Sequence, residues 1–269
     1  MRHRNPITAL GVLSLVAGPA LAACTAPPAP PSPAAEPTGK VSSALFANGG
    51  FEDGTNNASP PSWTVTAFTN HGVTIQTPQT RSGLDLRTTG NPTLRTVTLV
   101  APAGAGPESQ ADPDLGTNAS FRWPKFGNAV AIVNRQGNTH NANSMKQTMT
   151  VGAADIDSAD GLAHVRFVAA PVLQDYGHPA EEQPYFFIQL KNETKGGEIL
   201  YQDFNYANQP GVPWKHVGSG QNTIRYTDWA LVDIAPGSAK LAPGDVVELE
   251  IIAAGCKFDA HYGHVYVDG

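Results

Sequence analysis

The closing segment of the chain, residues 256–269 with the sequence CKFDAHYGHVYVDG, is rich in side chains that coordinate metals or transfer protons. Such a cluster could form a metal or catalytic site, or it could belong to the last strand of a β-sandwich. Side chains alternate along a strand, so His264 and Asp268 share one face while His261 faces the other way. One ion therefore cannot contact all three residues unless the strand is bulged.

The remaining histidine and cysteine pattern favours structural roles. The sequence has no cysteine and histidine pairs at the spacing of known zinc motifs, and no nucleophile elbow. We predict that His178 and His261 hydrogen-bond to backbone carbonyls and fix loops, in preference to binding a transition metal. Cys256 follows an apolar strand and has no CxxC partner, so we predict a small buried thiol there.

Aromatic residues in two long polar segments indicate a binding surface. The segments 101–120 and 204–222 are predicted to be loops, and loops of this length are usually functional or mobile. Sugars stack on exposed aromatic rings while polar neighbours bind their hydroxyls. The candidate ligand-binding residues are Trp123, Trp214, Tyr201 and Tyr206. The alternative is that the loop tryptophans pack as lids over the ends of a sandwich, and Trp63 and Trp229 are predicted to lie in the core.

The elements that must position these residues are short strands. Period-2 alternation and turn residues dominate the chain, and helical periodicity is almost absent. About a dozen strands separated by turns are typical of an all-β antiparallel sandwich of the jelly-roll type. The segment 194–198, TKGGE, is predicted to be a hairpin turn, because its two glycines accept positive φ.

The first residues have the pattern of an export signal. Arg2 and Arg4 precede a short apolar run, and small residues lead to Cys24. The sequence LAAC resembles the lipobox of bacterial lipoproteins, which implies cleavage before Cys24 and its lipidation, including acylation of the new amino terminus. The alternative is an ordinary secretory peptide with a chance cysteine. We predict a signal peptide over 1–23, a Pro/Ala-rich tether over 24–40 and one β-domain over 41–269.

Charge and cysteine count exclude several classes of protein. The net charge of the whole chain is −6, and loss of two arginines with the signal makes it −8. An acidic surface argues against a nucleic-acid partner. With Cys24 lipidated, Cys256 has no intramolecular partner, so a disulfide framework is excluded.

The start of the domain, FANGGFEDGTNNASPPSWTV, resembles the opening of carbohydrate-binding-module-like jelly rolls of the galactose-binding-like type. In such domains the closing strand lies near the first, and an early glutamate shares a structural calcium ion with a closing aspartate. The resemblance implies that Glu52 and Asp268, with Asn48, hold Ca²⁺ here. Two acids brought together would repel each other without a cation, and calcium prefers oxygen ligands. The alternative is that both are solvated acids at a sheet edge.

The second half resembles a narrower jelly-roll module of surface-anchored and secreted bacterial proteins. The matching segments are PVLQDYGHPAEEQPYFFIQLKN, YTDWALVDI, GDVVELEIIAAGC and HYGHVYVDG, and the resemblance makes His178 a candidate neighbour of the closing segment. Ala260 stands where the module has glycine, and His264 where it has tyrosine. The middle-strand cysteine that the module often carries is missing, so no disulfide to Cys256 is expected.

Together these features predict an exported bacterial lipoprotein of the cell envelope, held at the outer membrane or cell surface by the lipid on Cys24. Non-catalytic binding of a carbohydrate or another surface component is the favoured function. One alternative is a polysaccharide lyase or hydrolase, and another is a structural adhesion module. The residues that could line an enzyme cleft are His140, Arg135, Tyr201, Asp203 and Glu182.

Overall fold

The computed structural model describes residues 45–91, 95–101, 106–135 and 140–269. The predicted signal peptide, Cys24 and the tether lie outside these ranges. Within them the chain forms fifteen β-strands and a few short 3-10 turns, and no α-helix. None of the described segments is a helix that is long and apolar enough to cross a membrane.

The strands follow the alternating segments of the sequence. In chain order they are β1 (Thr64–Val73), β2 (Leu84–Thr88), β3 (Thr98–Val100), β4 (Gln110–Ala111), β5 (Arg122–Trp123), β6 (Val130–Val133), β7 (Asn141–Thr150), β8 (Val165–Asp175), β9 (Tyr185–Asn192), β10 (Glu198–Tyr206), β11 (Lys215–Val217), β12 (Thr223–Tyr226), β13 (Ala230–Ile234), β14 (Val246–Ala254) and β15 (Gly263–Asp268). The predicted hairpin turn at 194–198 joins β9 to β10, with positive φ at Gly196 and Gly197.

Two antiparallel sheets make up the domain. The first has six strands in the order β10-β9-β14-β7-β1-β2, and the second has seven, with the path β11-β12-β8-β15-β6-β3 and β13 paired to β8. The largest cluster of buried apolar side chains includes residues from both sheets, so the main core lies between them. The prediction of an all-β antiparallel sandwich is confirmed.

Each sheet also has a smaller apolar cluster on its other face. On the second sheet, Leu115, Phe121 and Trp123 pack against Ile132 and Tyr266. The segment that contains β4 and β5 therefore covers this face. On the first sheet, a separate cluster includes the fully buried side chains of β9 that alternate with those of the main core. Alternation of side chains along the strands gives both faces of the sheets apolar surface to bury.

The two predicted loops are more structured than the sequence indicated. The segment 204–222 begins inside β10 and contains β11, and the described part of 101–120 contains β4. Both were predicted as loops because Gly, Pro and Asn interrupt the alternation there. Short paired strands of two or three residues are too brief for a periodic signal to reveal them.

Candidate functional site

A groove of about 470 Å³ opens between the sheets beside β10, one of the two edge strands of the first sheet. Its walls come from β8, β9, β10 and β13 and from the segments before β11 and after β12. Apolar side chains form much of the wall, and a few polar ones reach into it. The residues that line it include Pro171, Phe186, Ile188, Tyr201, Asp203, Asn205, Lys215, Asp228, Trp229 and Leu231.

The groove lies where the pairing along one edge of β8 passes from β12 to β13 and is interrupted. β12 pairs with β8 as far as Tyr226 opposite Val172, and β13 resumes with Ala230 opposite Ala169. Between these pairs, three residues on one strand face two on the other, which is the pattern of a bulge. Pro171 lies at this point in β8 and has no N–H to donate to the ladder. The break therefore follows from the sequence of β8 as well as from its neighbour.

Polar residues of β10 point into this groove. Tyr201, Asp203 and Asn205 lie opposite Leu190, Ile188 and Phe186 of β9. Directly opposed residues of an antiparallel pair share a face, and those three β9 residues belong to the main core. The inner face of an edge strand thus carries a row of polar side chains where a sandwich normally has apolar ones.

Burial raises the pKa of Asp203 above its ordinary value, and the hydrogen bond from Asn205 Nδ2 to Asp203 Oδ1, 2.8 Å long, offsets this only in part. Burial also raises the pKa of Tyr201 to about 12, assisted by the nearby charge of Asp203. A carboxyl group in such surroundings holds its proton more readily and can donate a hydrogen bond. This electrostatic pattern is typical of functional sites.

A second carboxylate of the groove has the opposite environment. Asp228 forms an ion pair with Lys215, and Ser120 Oγ donates to Asp228 Oδ1 at 3.1 Å. The hydrogen bond from Lys215 is the main cause that lowers the pKa of Asp228. Asp228 and Trp229 also line an adjoining cavity of about 250 Å³, which contains the charged side chains of Arg122, Lys125 and Glu108. Asp228 and Trp229 line both cavities, so the second cavity extends the groove along the surface.

The predicted ligand-binding aromatics are not all at the groove. Tyr201 lines it, whereas Tyr206 packs against the cluster on the outer face of the first sheet. Trp123, expected near the surface, is 7 % exposed and stacks on Tyr266 with the ring centroids 5.9 Å apart. Trp214 is half-buried against the main core.

Trp229, which the sequence placed in the core, is half-buried and lines both cavities. Its Nε1 donates to the carbonyl of Arg122 at 2.8 Å, which fixes the ring beside the groove. The expected burial of Trp123 and Trp229 is therefore reversed. The reason is that the segment 106–126 folds over the second sheet and buries Trp123, which strand periodicity does not reveal.

Three of the residues proposed for an enzyme cleft do not line the groove. Arg135 contacts Asn57, His140 Nδ1 lies 2.7 Å from Asp259 Oδ1, and Glu182 pairs with a lysine at 3.5 Å. Only Tyr201 and Asp203 of that set share the groove.

Glu52 and Asp268 bind the same loop. Glu52 Oε1 accepts hydrogen bonds from the backbone N–H groups of Asn128 and Ala129, at 2.7 and 3.2 Å. Asp268 Oδ2 accepts from the N–H groups of Lys125 and Phe126, at 2.9 and 2.8 Å. Burial and the charge of Glu52 raise the pKa of Asp268 to about 7, although these backbone donors partly oppose the change.

Asn48 has a different role near the start of the domain. Its Oδ1 accepts from the N–H of Asp53 at 3.0 Å, and its Nδ2 donates to the carbonyls of Asp53 and Pro61. The side chain therefore closes the turn that leads to Glu52. A Cβ added at Gly127, in the loop that Glu52 binds, would lie 1.9 Å from Glu52 Oε1. Only glycine, which has no Cβ, allows the loop to approach this carboxylate so closely.

The three residues with predicted structural roles meet at the other end of β15. Nε2 of His178 lies 3.2 Å from Nδ1 of His261, and Sγ of Cys256 lies 3.2 Å from the same nitrogen. Cys256 is fully buried, as predicted, and forms no disulfide with the described part of the chain. The rings were expected to bind backbone carbonyls, but their nitrogens face each other and the thiol.

Sequence reasoning missed a further buried polar cluster. Asp112 is fully buried, lies 3.0 Å from His264 Nε2 and accepts a 2.6 Å hydrogen bond from Tyr266. Burial alone would raise the pKa of Asp112, but hydrogen bonds from His264, Tyr266 and the N–H of Leu115 lower it to about 2. The alternation of His264 and Tyr266 was the available signal. No pattern in the sequence indicated that Asp112, on the segment that covers the second sheet, would be their partner.

No protein-family model matches the chain, and no curated protein matches it. Solved structures give distant similarities. A Stig cyclase, FisC, from Fischerella sp. TAU, solved in complex with (3Z)-3-(1-methyl-2-pyrrolidinylidene)-3H-indole, is 13% identical over 83% of this chain and 92% of that chain, with a TM-score of 0.35.

Two carbohydrate-binding structures are also similar. One, of carbohydrate-binding modules from the β-sandwich superfamily, is 12% identical over 84% of this chain and 61% of that chain, with a TM-score of 0.33. The other, CBM27-1 of Caldicellulosiruptor saccharolyticus in complex with mannohexaose, is 12% identical over 63% of this chain and 86% of that chain, with a TM-score of 0.27.

Proposed function

We propose that the domain is a non-catalytic binding module whose groove holds a carbohydrate or another polar component of a cell surface. The observation that supports this most is the row of Tyr201, Asp203 and Asn205 on the inner face of an edge strand. Apolar side chains would pack better in that position. Polar ones serve a ligand that enters the groove and needs both contact area and hydrogen bonds.

The chemistry of the walls suits a sugar. Tyr201 and Trp229 offer aromatic surface to the apolar face of a pyranose ring. Asp203, Asn205 and Lys215 offer hydrogen-bond acceptors and donors to its hydroxyls. The volume of about 470 Å³ lies within the usual range of ligand pockets, and the adjoining cavity extends it in one direction. An oligosaccharide fits this shape better than a single small molecule.

The test compares two tyrosines of one strand. A glycan array identifies an oligosaccharide, and titration calorimetry then measures its affinity for the full chain. Tyr201→Ala is expected to weaken binding about tenfold or more, because an aromatic residue at the centre of an interface carries much of the energy. Tyr206→Ala, on the outer face of β10, is expected to leave affinity unchanged. Absence of any glycan ligand, or equal losses in both variants, would overturn the proposal.

We further propose a calcium ion between Glu52 and Asp268, as the resemblance implies. Both side chains supply hard oxygen atoms, and both bind the loop 125–129. Asp268 is fully buried, and burial together with the charge of Glu52 raises its pKa, so a cation beside the two carboxylates would stabilise their charged forms. These features fit Ca²⁺, whereas Asn48 uses its side-chain oxygen within its own turn. Calcium would join the start of the domain to its last strand.

We propose that the protein is exported and anchored as a lipoprotein through Cys24, on the sequence LAAC and the tether that follows. Such an anchor would present the groove at the cell envelope. Metabolic labelling with a clickable fatty acid tests this directly. Label is expected in the wild-type chain and not in Cys24→Ser. Label in both variants, or in neither, would contradict the proposal.

A second candidate function rests on the two carboxylates of the groove. Asp203 has a raised pKa and Asp228 a lowered one, and a pair with opposite environments can act as acid and base in glycoside cleavage. The test is release of reducing ends or unsaturated products from polysaccharides. Release by the wild type and its loss in Asp203→Asn would establish an enzyme in place of a binding module.

A further inference from the structure

The loops at one end of β8 and β15 bring together three side chains that are typical metal ligands. β15 pairs antiparallel with β8, and Gly263 lies opposite Leu173. The loop that follows β8 therefore lies beside the loop that precedes β15. The first loop carries His178, and the second carries Cys256 and His261. Neither loop contains a complete metal motif, so only the strand pairing reveals the group.

The ligand atoms are spaced as they are around one ion. His261 Nδ1 lies 3.2 Å from both His178 Nε2 and Cys256 Sγ, and one ligand atom from each of the three residues lies within 4.8 Å of those from the other two. In a tetrahedral zinc site, with bonds of about 2.0–2.3 Å, neighbouring ligand atoms are roughly 3.3–3.6 Å apart. Small side-chain movements would therefore place one ion among these atoms.

We propose that Cys256, His178 and His261 bind one thiophilic transition-metal ion such as Zn²⁺. A sulfur and two imidazole nitrogens favour Zn²⁺ or Cu⁺ over Ca²⁺ and Mg²⁺, which prefer oxygen. On binding, the bond between the thiol hydrogen and Sγ breaks, the proton passes to solvent and Sγ bonds to the ion. His178 is half-buried, which leaves a path from solvent and room for a fourth ligand.

Hydrogen bonding within the protein accounts for this cluster only in part. Cys256 Sγ lies 2.6 Å from the carbonyl oxygen of Phe258, which takes the single thiol proton. His261 Nδ1 either carries one proton or accepts one, so it cannot form full hydrogen bonds with both His178 Nε2 and Cys256 Sγ. One of these two contacts is left without a hydrogen, although Cys256 and His261 are both buried. A metal ion would satisfy all three atoms at once.

The surrounding residues hold the ligands in place. The backbone N–H of Cys256 donates to the carbonyl of His261 at 3.0 Å, and Gln183 Nε2 donates to the carbonyl of His178 at 3.0 Å. The ring of Tyr176 stacks on His261 with the centroids 4.0 Å apart. The two loops are also joined by a backbone hydrogen bond of 3.0 Å, which the N–H of Lys257 donates to the carbonyl of Glu182. Outer contacts of this kind orient metal ligands in advance of binding.

The experiment is a Co²⁺ titration of the full chain in a Cys24→Ser background, which removes the second thiol. One equivalent of Co²⁺ is expected to produce a thiolate-to-cobalt charge-transfer band, and Zn²⁺ is expected to abolish it. His178→Gln is expected to weaken Co²⁺ binding about tenfold or more, because one of three ligands is lost. His216→Gln changes an exposed histidine on β11 and is expected to have no effect.

Cys256→Ser tests the sulfur separately, since it should remove the charge-transfer band. If the serine variant does not fold, His178→Gln still tests the site, because His178 is half-buried and lies in a loop. Absence of the band in the parent, or equal affinities of the parent and His178→Gln, would overturn the proposal. Addition of Ca²⁺ at the same concentration is expected to leave the band unchanged.

Discussion

The two ends of β15 present different chemistry to a cation. Before the strand begins, Cys256 and His261 meet His178 and offer sulfur and nitrogen. Where the strand ends, Asp268 binds the same loop as Glu52, and both offer only oxygen. Six residues of one strand thus separate a group suited to soft metals from a group suited to hard ones.

The ends also differ in the charge that they bury. Burial and the charge of His178 lower the pKa of His261, and burial raises the pKa of the Cys256 thiol, so both of these groups favour their neutral forms. Asp268 buries a carboxylate close to Glu52. Neutral side chains can be buried at the first end without a counter-charge, whereas the buried carboxylate of Asp268 is stabilised by a cation or a proton.

When a chelator removes metal ions, the free energy of unfolding is expected to depend strongly on pH. The pKa of Asp268 is about 7 in the folded state, above its ordinary value of 3.8, so the folded state holds a proton that the unfolded state releases. Stability is therefore expected to fall as pH rises from about 4 to about 7, by on the order of 4 kcal/mol. Urea unfolding across this range measures it, and Asp268→Asn should flatten the curve. An equal slope in both proteins would remove the contrast between the ends.

Calcium is expected to restore much of this loss at pH 7.5. A ligand that binds only the folded state adds about 2.7 kcal/mol when its concentration is 100 times its dissociation constant. We expect the melting temperature to rise on adding Ca²⁺ and to fall on adding EDTA. The rise in melting temperature on adding Ca²⁺ should be absent in Asp268→Asn. It should be retained in His178→Gln, because His178 lies at the opposite end of β15. An unchanged melting temperature, with no calcium by elemental analysis, would refute the calcium proposal.

Gly127 offers a sharper test of the oxygen-rich end. Gly127→Ala would place a Cβ 1.9 Å from Glu52 Oε1, so the loop and the carboxylate must separate. We expect a loss of about 2 kcal/mol and a weaker response to Ca²⁺. Gly116→Ala is the matched control, because its φ is also positive while no atom lies within 4 Å of the added carbon. Equal losses in the two variants would mean that backbone strain alone explains the effect.

The smallest expected effect concerns the backbone at the other end. Ala260 has a φ of 117°, a conformation that glycine adopts readily and alanine does not. Ala260→Gly is expected to stabilise the protein by about 1 kcal/mol in urea unfolding. The response to Ca²⁺ should stay the same, because the change lies before β15 and not at Asp268. A destabilised variant would show that the loop gains nothing from relief of this strain.

Much of the fold could be predicted from the sequence because alternation is a local property. The alternating segments became strands, the glycine pair at 194–198 became a hairpin turn, and His261 and His264 have separate partners as predicted. The strands, the turn and the alternation that separates His261 from His264 depend on residues that are close in the chain.

The site could be predicted only in part because it depends on which strands are neighbours. His178 reaches Cys256 and His261 through the pairing of β8 with β15, and Asp203 faces the groove through the register of β10 with β9. Alternation places Tyr201 and Tyr206 on opposite faces of β10 but does not say which face is inside. The burial of Trp123 needs the covering segment, which has no periodic pattern.

β10 has a consequence for how the domain behaves among other chains. It is one of the two outermost strands of the six-stranded sheet, and an outermost strand can pair with a strand of another molecule. An inward-pointing acidic residue opposes such pairing, since continuation of the sheet would press its charge further into apolar surroundings. Asp203 occupies such a position. The carboxyl group that faces the groove therefore also opposes pairing of β10 with a strand of another molecule.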